Sequence, residues 1–224
     1  MHLTEDQLLP PGRSCPFCGS HERKKVFILQ KDPDVHLLSC ANCHAASASR
    51  MPTAETLSEY YKSYFSGKKQ KVTFDRPERM AEHIFCAAQK HPSVKVLHIL
   101  DFGGGDGHIS LKLAEKFIAK GTGEVHIVLV DYNPDMAQSD DRRITMKRFP
   151  HLSGTGTQKF DFVLASAIIE HIPSPAADLI RLLDALKAGG VFYARTPYLL
   201  PFLRIVHHFG FTLDFKYPLR GTFI

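Results

Sequence analysis

The 224-residue sequence contains no apolar run approaching the about 20 residues that a membrane-spanning helix needs. Its first residues, MHLTEDQLLPPGR, carry acids and lack the basic and then apolar stretch of a signal peptide. Hydrophobic residues make up 44% and charged residues 23% of the chain, which excludes a disordered or fibrous protein. We therefore expect a globular protein of the cytoplasm with no membrane segment.

Cysteine is scarce, and its distribution excludes a disulfide framework. There are five cysteines, an odd number, and four of them form two C-x-x-C pairs, Cys15 with Cys18 and Cys40 with Cys43. Two such pairs, here 21 residues apart, complete the tetrahedral four-thiolate shell that zinc prefers. A closed shell has no position for an activated water, so the sequence predicts structural zinc. A redox role for one pair, or ligation by His21 or His44, is the alternative.

The residues between the two pairs predict a short hairpin. Branched and apolar residues cluster at 26–29 and again at 35–38, which is typical of two paired strands. The fifth cysteine, Cys86, follows an apolar stripe at helical spacing, and we predict a buried thiol there.

Positive charge is in modest excess. The formal net charge is +5, and the basic residues are densest at 23–25 and at 68–71. Basic surfaces attract phosphate backbones, but the basic and aromatic interleaving of an RNA-binding surface is missing. We interpret these clusters as solvated faces and leave nucleic-acid binding as an alternative that is not favoured.

After the cysteines, the pattern predicts an α/β domain. A bridging helix is expected at 53–65, a linker at 68–75 and a second helix at 77–90. Five apolar segments then alternate with helical or loop segments, which indicates a doubly wound, mostly parallel sheet. The predicted limits are 1–50 for the zinc ribbon, 51–75 for the bridge and 76–224 for the α/β domain. The predicted strands cover 94–101, 125–130, 144–149, 160–166 and 191–195.

The glycine turn after the first strand lacks the G-x-G-x-x-G spacing of a dinucleotide site. It reads Asp101-Phe-Gly103-Gly-Gly105-Asp-Gly107, and it resembles the first motif of class I S-adenosylmethionine-dependent methyltransferases. The resemblance implies that Asp101 helps to hold the methionine ammonium and that the three glycines let the backbone approach the cofactor. Asp131, at the end of the second strand, would accept the ribose hydroxyls. The alternative for Asp131 is a cap of a helix that begins at Asn133-Pro134.

The segment from 160 to 197 resembles the same family more specifically. An apolar strand that contains Asp161 is followed by Glu170-His171, a helix, Leu-Lys-x-Gly-Gly and Thr-Pro. Ser166 ends that strand and is a further candidate contact to the cofactor. The third strand lacks the acid that often meets the adenine in this family, so the adenine contact stays unassigned.

The Glu170-His171 pair provides candidate catalytic groups. Histidine titrates near neutrality, so His171 is the first candidate for a general base, with Glu170 orienting it, contacting the substrate or binding a catalytic metal. The alternative is that the pair shapes the pocket only.

The ribbon, the bridging helix and the methyltransferase core together resemble sugar C-methyltransferases that act on nucleotide-linked deoxysugars. This resemblance implies a small-molecule acceptor, with Tyr60 and Tyr61 lining its pocket unless they serve packing. RNA methylation and a non-catalytic cofactor-binding role are the alternatives. We expect a helix at 199–208, one strand at 211–217 and a shortened terminal hairpin, because 28 residues follow Thr196.

Overall fold

The computed structural model describes residues 2–66, 76–88 and 94–196, with side chains throughout except those of 62–66. The described residues form two compact units: the first contains those up to 64 with 169–179 and 196, and the second contains those from 65 to 168 with 180–195. The helix and strand predicted at 199–208 and 211–217 and the linker at 68–75 lie outside the described residues.

The first unit contains a three-stranded antiparallel sheet in the order β1-β2-β3. The predicted hairpin forms, and its register places Arg23 opposite Cys40, so the two cysteine pairs lie at the same end of the sheet. Leu37, Cys15 and Cys40 are almost fully buried beneath it. The elements are β1 (Arg23–Gln30), β2 (Val35–Cys40), β3 (Ala46–Ala48) and the helix α1 (Ala54–Ser66), with a 3-10 turn at Glu5–Gln7.

The second unit contains a five-stranded sheet in the order β6-β5-β4-β7-β8, and every neighbouring pair is parallel. Because strands are added outward on both sides of β4, this is the order of a doubly wound sheet, as predicted. The candidate third strand is confirmed as β6. The strands are β4 (Val96–Phe102), β5 (Glu124–Val130), β6 (Ile144–Phe149), β7 (Phe160–Ser166) and β8 (Leu186–Arg195).

Two helices, α2 (Pro77–Ala87) and α3 (His108–Ala119), pack with one face of this sheet in a single apolar core. Leu97 and Ile99 of β4 and Phe162 of β7 are buried in it. The prediction of a buried thiol at Cys86 is wrong, because this side chain is exposed and donates to Glu82. Cys86 lies two residues beyond the buried Ile84, about 200° around the helix, and therefore faces away from the core.

The helix α4 (Pro175–Asp184) is shorter and less buried than its sequence indicates. Leu182 is fully buried, but Ile180 and Leu183 are 59% and 51% exposed. Residues three apart share one helix face, so this pair forms an outward apolar face. The next strand, β8, begins at Leu186, five residues before the start predicted for it at residue 191. Within the described ranges, every helix is too short or too polar to cross a membrane.

A row of polar side chains crosses the sheet near the amino ends of the strands. The Asp161 carboxylate accepts the backbone N–H of His98 at 2.8 Å and the ammonium of Lys187 at 2.8 Å. Desolvation, followed by the charge of Lys187, lowers the pKa of His98. The row links β4, β7 and β8 at the edge opposite the glycine turn.

Candidate functional site

The four paired cysteines converge on one point. Their sulfur atoms all lie within 4.8 Å of one another, with 3.7 Å between Cys15 and Cys43 and 3.6 Å between Cys18 and Cys40. A disulfide needs about 2.05 Å, so these sulfurs are not bonded. A zinc tetrahedron with bonds of about 2.3 Å has edges of about 3.8 Å, which the two distances match. The cluster therefore fits zinc, and neither His21 nor His44 belongs to it.

The two cysteine pairs are folded as equivalent turns. In the first, Cys15 N–H donates to the Ser20 carbonyl and Gly19 N–H donates to Cys15. In the second, the same two bonds join Cys40 to Ala45 and His44 to Cys40. The residue after each pair has a positive φ, +74° at Gly19 and +60° at His44. His44 therefore adopts a backbone conformation that favours glycine.

Hydrogen bonds within the turns lower the pKa of two of the four thiols and so favour the thiolate form that zinc requires. A backbone hydrogen bond at Ser20 and a side-chain hydrogen bond from Asn42 lower the pKa of Cys18 to about 6. A backbone hydrogen bond at Cys43 lowers the pKa of Cys40. Desolvation raises the pKa of Cys43, and the neighbouring thiols add to this rise. A divalent cation at the centre would relieve that crowding of negative charge.

We expect His44→Gly to stabilise the zinc-loaded chain. A left-handed conformation costs an L-residue about 1–2 kcal/mol, and the greater chain entropy of glycine offsets about 0.5–1 kcal/mol of this gain. The expected net gain in the free energy of unfolding is about 0.5–1 kcal/mol. It is measured from the shift in the midpoint of denaturant unfolding with zinc present. His21→Gly is the matched control, because His21 is also exposed in the ribbon but lacks a positive φ. Equal effects of the two variants would contradict this explanation.

The glycine turn between β4 and α3 has no room for a side chain at three of its positions. A Cβ would lie 2.4 Å from Ile168 at Gly103, 2.2 Å from the Asp101 carboxylate at Gly104 and 2.8 Å from Met146 at Gly107. Gly105 differs, because its φ is +64° but a Cβ there would meet no protein atom within 4 Å. Protein packing therefore explains the other three glycines, whereas Gly105 borders open space that a ligand could approach closely.

Asp101 lies directly beneath this turn. Its Oδ2 is 2.2 Å from where a Cβ of Gly104 would stand, and it is a buried oxygen with no hydrogen-bond partner. Desolvation raises the pKa of Asp101 to about 7, and the carboxylates of Asp131 and Asp106 contribute. A buried carboxylate with an unpartnered oxygen is costly unless a cation or donor meets it.

Asp131 joins the end of β5 to the same turn. Its carboxylate accepts the N–H of Gly105 and the N–H of Asn133, each at 2.8 Å. Burial raises the pKa of Asp131, and these two hydrogen bonds oppose that rise. No helix begins at Asn133 in the described residues, so Asp131 does not cap one. Each carboxylate oxygen has a further lone pair for an outside donor.

The end of β7 contains a strained residue that the sequence did not reveal. Ala167 has a φ of +57°, and its N–H donates to Arg195 of β8 at 2.8 Å. Ser166, just before it, has a buried hydroxyl oxygen without a hydrogen-bond partner. Backbone strain of this kind concentrates at functional sites. No local sequence signal marks Ala167, because alanine rarely adopts a positive φ.

The remaining predicted residues lie in the first unit. Glu170 and His171 belong to one 3-10 turn, Ile169–His171, where Glu170 is 9% exposed and His171 is half-buried. Desolvation lowers the pKa of His171 to about 4. Tyr60 and Tyr61 pack edge to face with ring centres 5.3 Å apart.

A pair of rings follows the second and third strands of the large sheet, and sequence reasoning missed it. Tyr132, next to Asp131, packs edge to face on His151 with ring centres 5.4 Å apart. Tyr132 is 59% exposed. The signal was the position of each residue just after a parallel strand, where ligands of doubly wound sheets bind.

Comparison with known proteins gives the class of the large domain. A model of a methyltransferase domain matches residues 69–212. The chain belongs to this methyltransferase domain family. The prediction of a methyltransferase domain is thereby confirmed.

Several solved structures are similar to this chain. One is coclaurine N-methyltransferase bound to N-methylheliamine and SAH, at 18% identity and a TM-score of 0.39, covering 57% of this chain and 37% of that one. A second is the Haloferax volcanii complex of the Trm112 methyltransferase activator and a putative methyltransferase, at 23% identity and a TM-score of 0.40, covering 55% of this chain and 54% of that one. A third is YcgJ of Bacillus subtilis, at 17% identity and a TM-score of 0.42, covering 59% of this chain and 57% of that one.

The chain thus spans less than two thirds of each of these solved chains. No curated protein matches it in sequence.

Proposed function

We propose that this protein is an S-adenosylmethionine-dependent methyltransferase of a small-molecule acceptor. The carrying observation is the buried Asp101 carboxylate, whose Oδ2 has no hydrogen-bond partner beneath the glycine turn. An anionic group in that position suits the ammonium of an amino-acid cofactor. The cofactor domain would cover residues 76–224, after a zinc ribbon at 1–50 and a bridge at 51–75.

The cofactor would be held by groups at the carboxyl edge of the sheet. Asp131 accepts two backbone N–H groups and keeps lone pairs for the two ribose hydroxyls. Gly103, Gly105 and Gly107 let the backbone approach, and the Ser166 hydroxyl is a further donor. Tyr132, braced by His151, offers an exposed ring face for the adenine, in place of the missing acid after β6.

The bound cofactor supplies an activated methyl group, so the chain must orient the acceptor and, where needed, remove its proton. A pKa of about 4 keeps His171 neutral at pH 7, with its Nδ1 buried and without a hydrogen-bond partner. Neutral imidazole can accept a proton, but a pKa of about 4 makes it a weak base, so an anionic group of the bound acceptor must raise this pKa for general-base catalysis. On that condition His171 is our candidate for the general base, and Glu170, its neighbour in the same turn, is our candidate for the residue that orients it.

A nucleotide-linked sugar is the acceptor class that we favour. Tyr60 and Tyr61 offer ring surfaces of the kind that pack on a sugar or base. Nucleic acid is less well supported, since the first residue of the basic cluster at 23–25 is engaged internally. Arg23 donates to the carbonyls of Gly12 and Ser14 and to the Ser47 hydroxyl.

Structural zinc in the ribbon is part of the proposal. Cys15, Cys18, Cys40 and Cys43 would hold it in a closed shell, so the ion would act through folding rather than chemistry.

The test is calorimetric titration of the zinc-loaded protein with S-adenosylhomocysteine. We expect binding near pH 6.5 to release a proton, because the ligand ammonium lowers the pKa of Asp101 from about 7. Roughly three quarters of a proton should leave at pH 6.5, measured as the dependence of the binding enthalpy on buffer ionisation, and almost none at pH 8.5. Asp101→Asn should remove the release. The absence of binding to the wild-type protein would overturn the proposal.

The same pKa determines how the free chain responds to pH. Because the folded pKa of Asp101 lies above the about 3.9 of an ordinary aspartate, the unfolded state loses this proton first as the pH rises. The stability contributed by this group is therefore greatest below about pH 4 and falls until about pH 7, above which the penalty is constant. Asp101→Asn should flatten this part of the pH–stability curve.

A further inference from the structure

The first unit contains a cavity of about 510 Å³ that none of the predicted cofactor residues lines. Most of its wall comes from three segments of that unit, namely the loop at 9–17, the residues 43–51 around β3 and the turn at 169–175, and Arg23, Leu37 and Thr196 complete the lining. The zinc ribbon provides the first two segments and the Glu170 turn provides the third. Pockets for small molecules commonly measure about 300–1,000 Å³.

The cavity wall is mostly apolar. Leu9, Phe17 and Met51 line it from the ribbon, and Ile169 and Ile172 line it from the turn. A wall of this kind favours an uncharged group with little hydroxyl content, because burying unpaired polar groups costs free energy. It disfavours a nucleic-acid backbone or a diphosphate.

The cationic side chain in the wall, Arg23, is poorly suited to bind phosphate. Its two terminal nitrogens donate to the carbonyls of Gly12, Ser14 and Ala48 and to the Ser47 hydroxyl, at 2.7–3.3 Å. Only its Nε is left, buried and without a hydrogen-bond partner. The guanidinium therefore braces the ribbon and retains one donor, which a single neutral oxygen could accept.

Glu170 gives the cavity an anionic wall group. It is 9% exposed and lies among the lining residues. A carboxylate in an apolar wall is suited to accept a hydroxyl or amine hydrogen. The occupant that fits is thus a compact apolar group that carries one hydroxyl or amine.

We propose that this cavity is a ligand site of the first unit that binds an uncharged, largely apolar small molecule carrying one hydroxyl or amine. The apolar wall would bury the body of that molecule, and Glu170 would accept its hydroxyl or amine hydrogen. The zinc ribbon then shapes a binding site as well as a fold.

The test uses three matched probes on the zinc-loaded full chain. Binding of each probe is measured from the change in its fluorescence. We expect 1-naphthol to bind, and 1-naphthyl phosphate and naphthalene each to bind at least fivefold more weakly. Glu170→Gln should lower the affinity for 1-naphthol to nearly the affinity for naphthalene. Equal binding of all three probes, or no binding of 1-naphthol, would overturn the proposal.

A pair of variants locates the probe. Leu9 and Ile28 are both exposed apolar residues of the first unit, at 42% and 51%, but only Leu9 lines the cavity. Leu9→Asp should weaken 1-naphthol binding about tenfold, while Ile28→Asp should leave it unchanged. Equal weakening by both would show binding elsewhere on the ribbon and sink the inference. S-adenosylhomocysteine binding, measured on the same samples, separates this failure from failure of the methyltransferase proposal.

Discussion

Asp131→Ala is expected to lower the affinity for S-adenosylhomocysteine at least about 100-fold. The variant would lose the hydrogen bonds from two ribose hydroxyls, and each hydrogen bond to a charged group contributes about 1.5–3 kcal/mol. The variant also leaves the N–H groups of Gly105 and Asn133 without their carboxylate acceptor. The glycine turn should therefore loosen as well as lose the ligand contact. Calorimetric titration measures the affinity directly.

Two further variants distinguish the ligand contact from the local fold. Asp135→Ala removes an exposed carboxylate four residues away and should bind as the wild-type chain does. Asp131→Asn keeps one acceptor oxygen for the turn, and its affinity for S-adenosylhomocysteine should lie between those of Asp131→Ala and Asp135→Ala. If Asp131→Ala binds as tightly as Asp135→Ala, then Asp131 does not contact the cofactor.

Cys40→Ser is expected to abolish stoichiometric zinc binding and to unfold the ribbon. Structural zinc contributes about 10–16 kcal/mol in comparable small domains, far more than the small apolar cluster of this unit can replace. Metal analysis should fall from one zinc per chain to none, and hydrogen exchange in β1–β3 should lose its protection. Binding of S-adenosylhomocysteine should change less than threefold, because the cofactor residues belong to the other unit.

Cys86→Ser is the matched control for this experiment. Cys86 is an exposed cysteine outside the cluster, so its replacement should leave the zinc content at one per chain. A wild-type chain purified without zinc, and unable to bind it when the metal is added, would contradict the assignment.

Most of the parallel sheet was predictable because four of its strands carry their own apolar signal. The strand β6 is the exception, since polar and exposed residues interrupt it, and β8 begins at Leu186 rather than at the predicted residue 191. The zinc cluster was equally local in origin, since each C-x-x-C pair sets its two sulfurs on a single turn. Burial was harder to predict. Cys86, Ile180 and Leu183 look like core residues by periodicity, yet which face of a helix is covered depends on its neighbours.

The sequence by itself determined the class of fold, the order of the motifs, the four thiol groups and the glycine turn, because these depend on residues close together along the chain. Only the tertiary structure decided what surrounds them. It buried Asp101 beneath Gly104, joined Asp131 to Gly105, gave Ala167 a left-handed backbone and enclosed a cavity between residues 9 and 175. Each of these depends on groups distant in sequence, and desolvation and close contact exist only after the chain has folded.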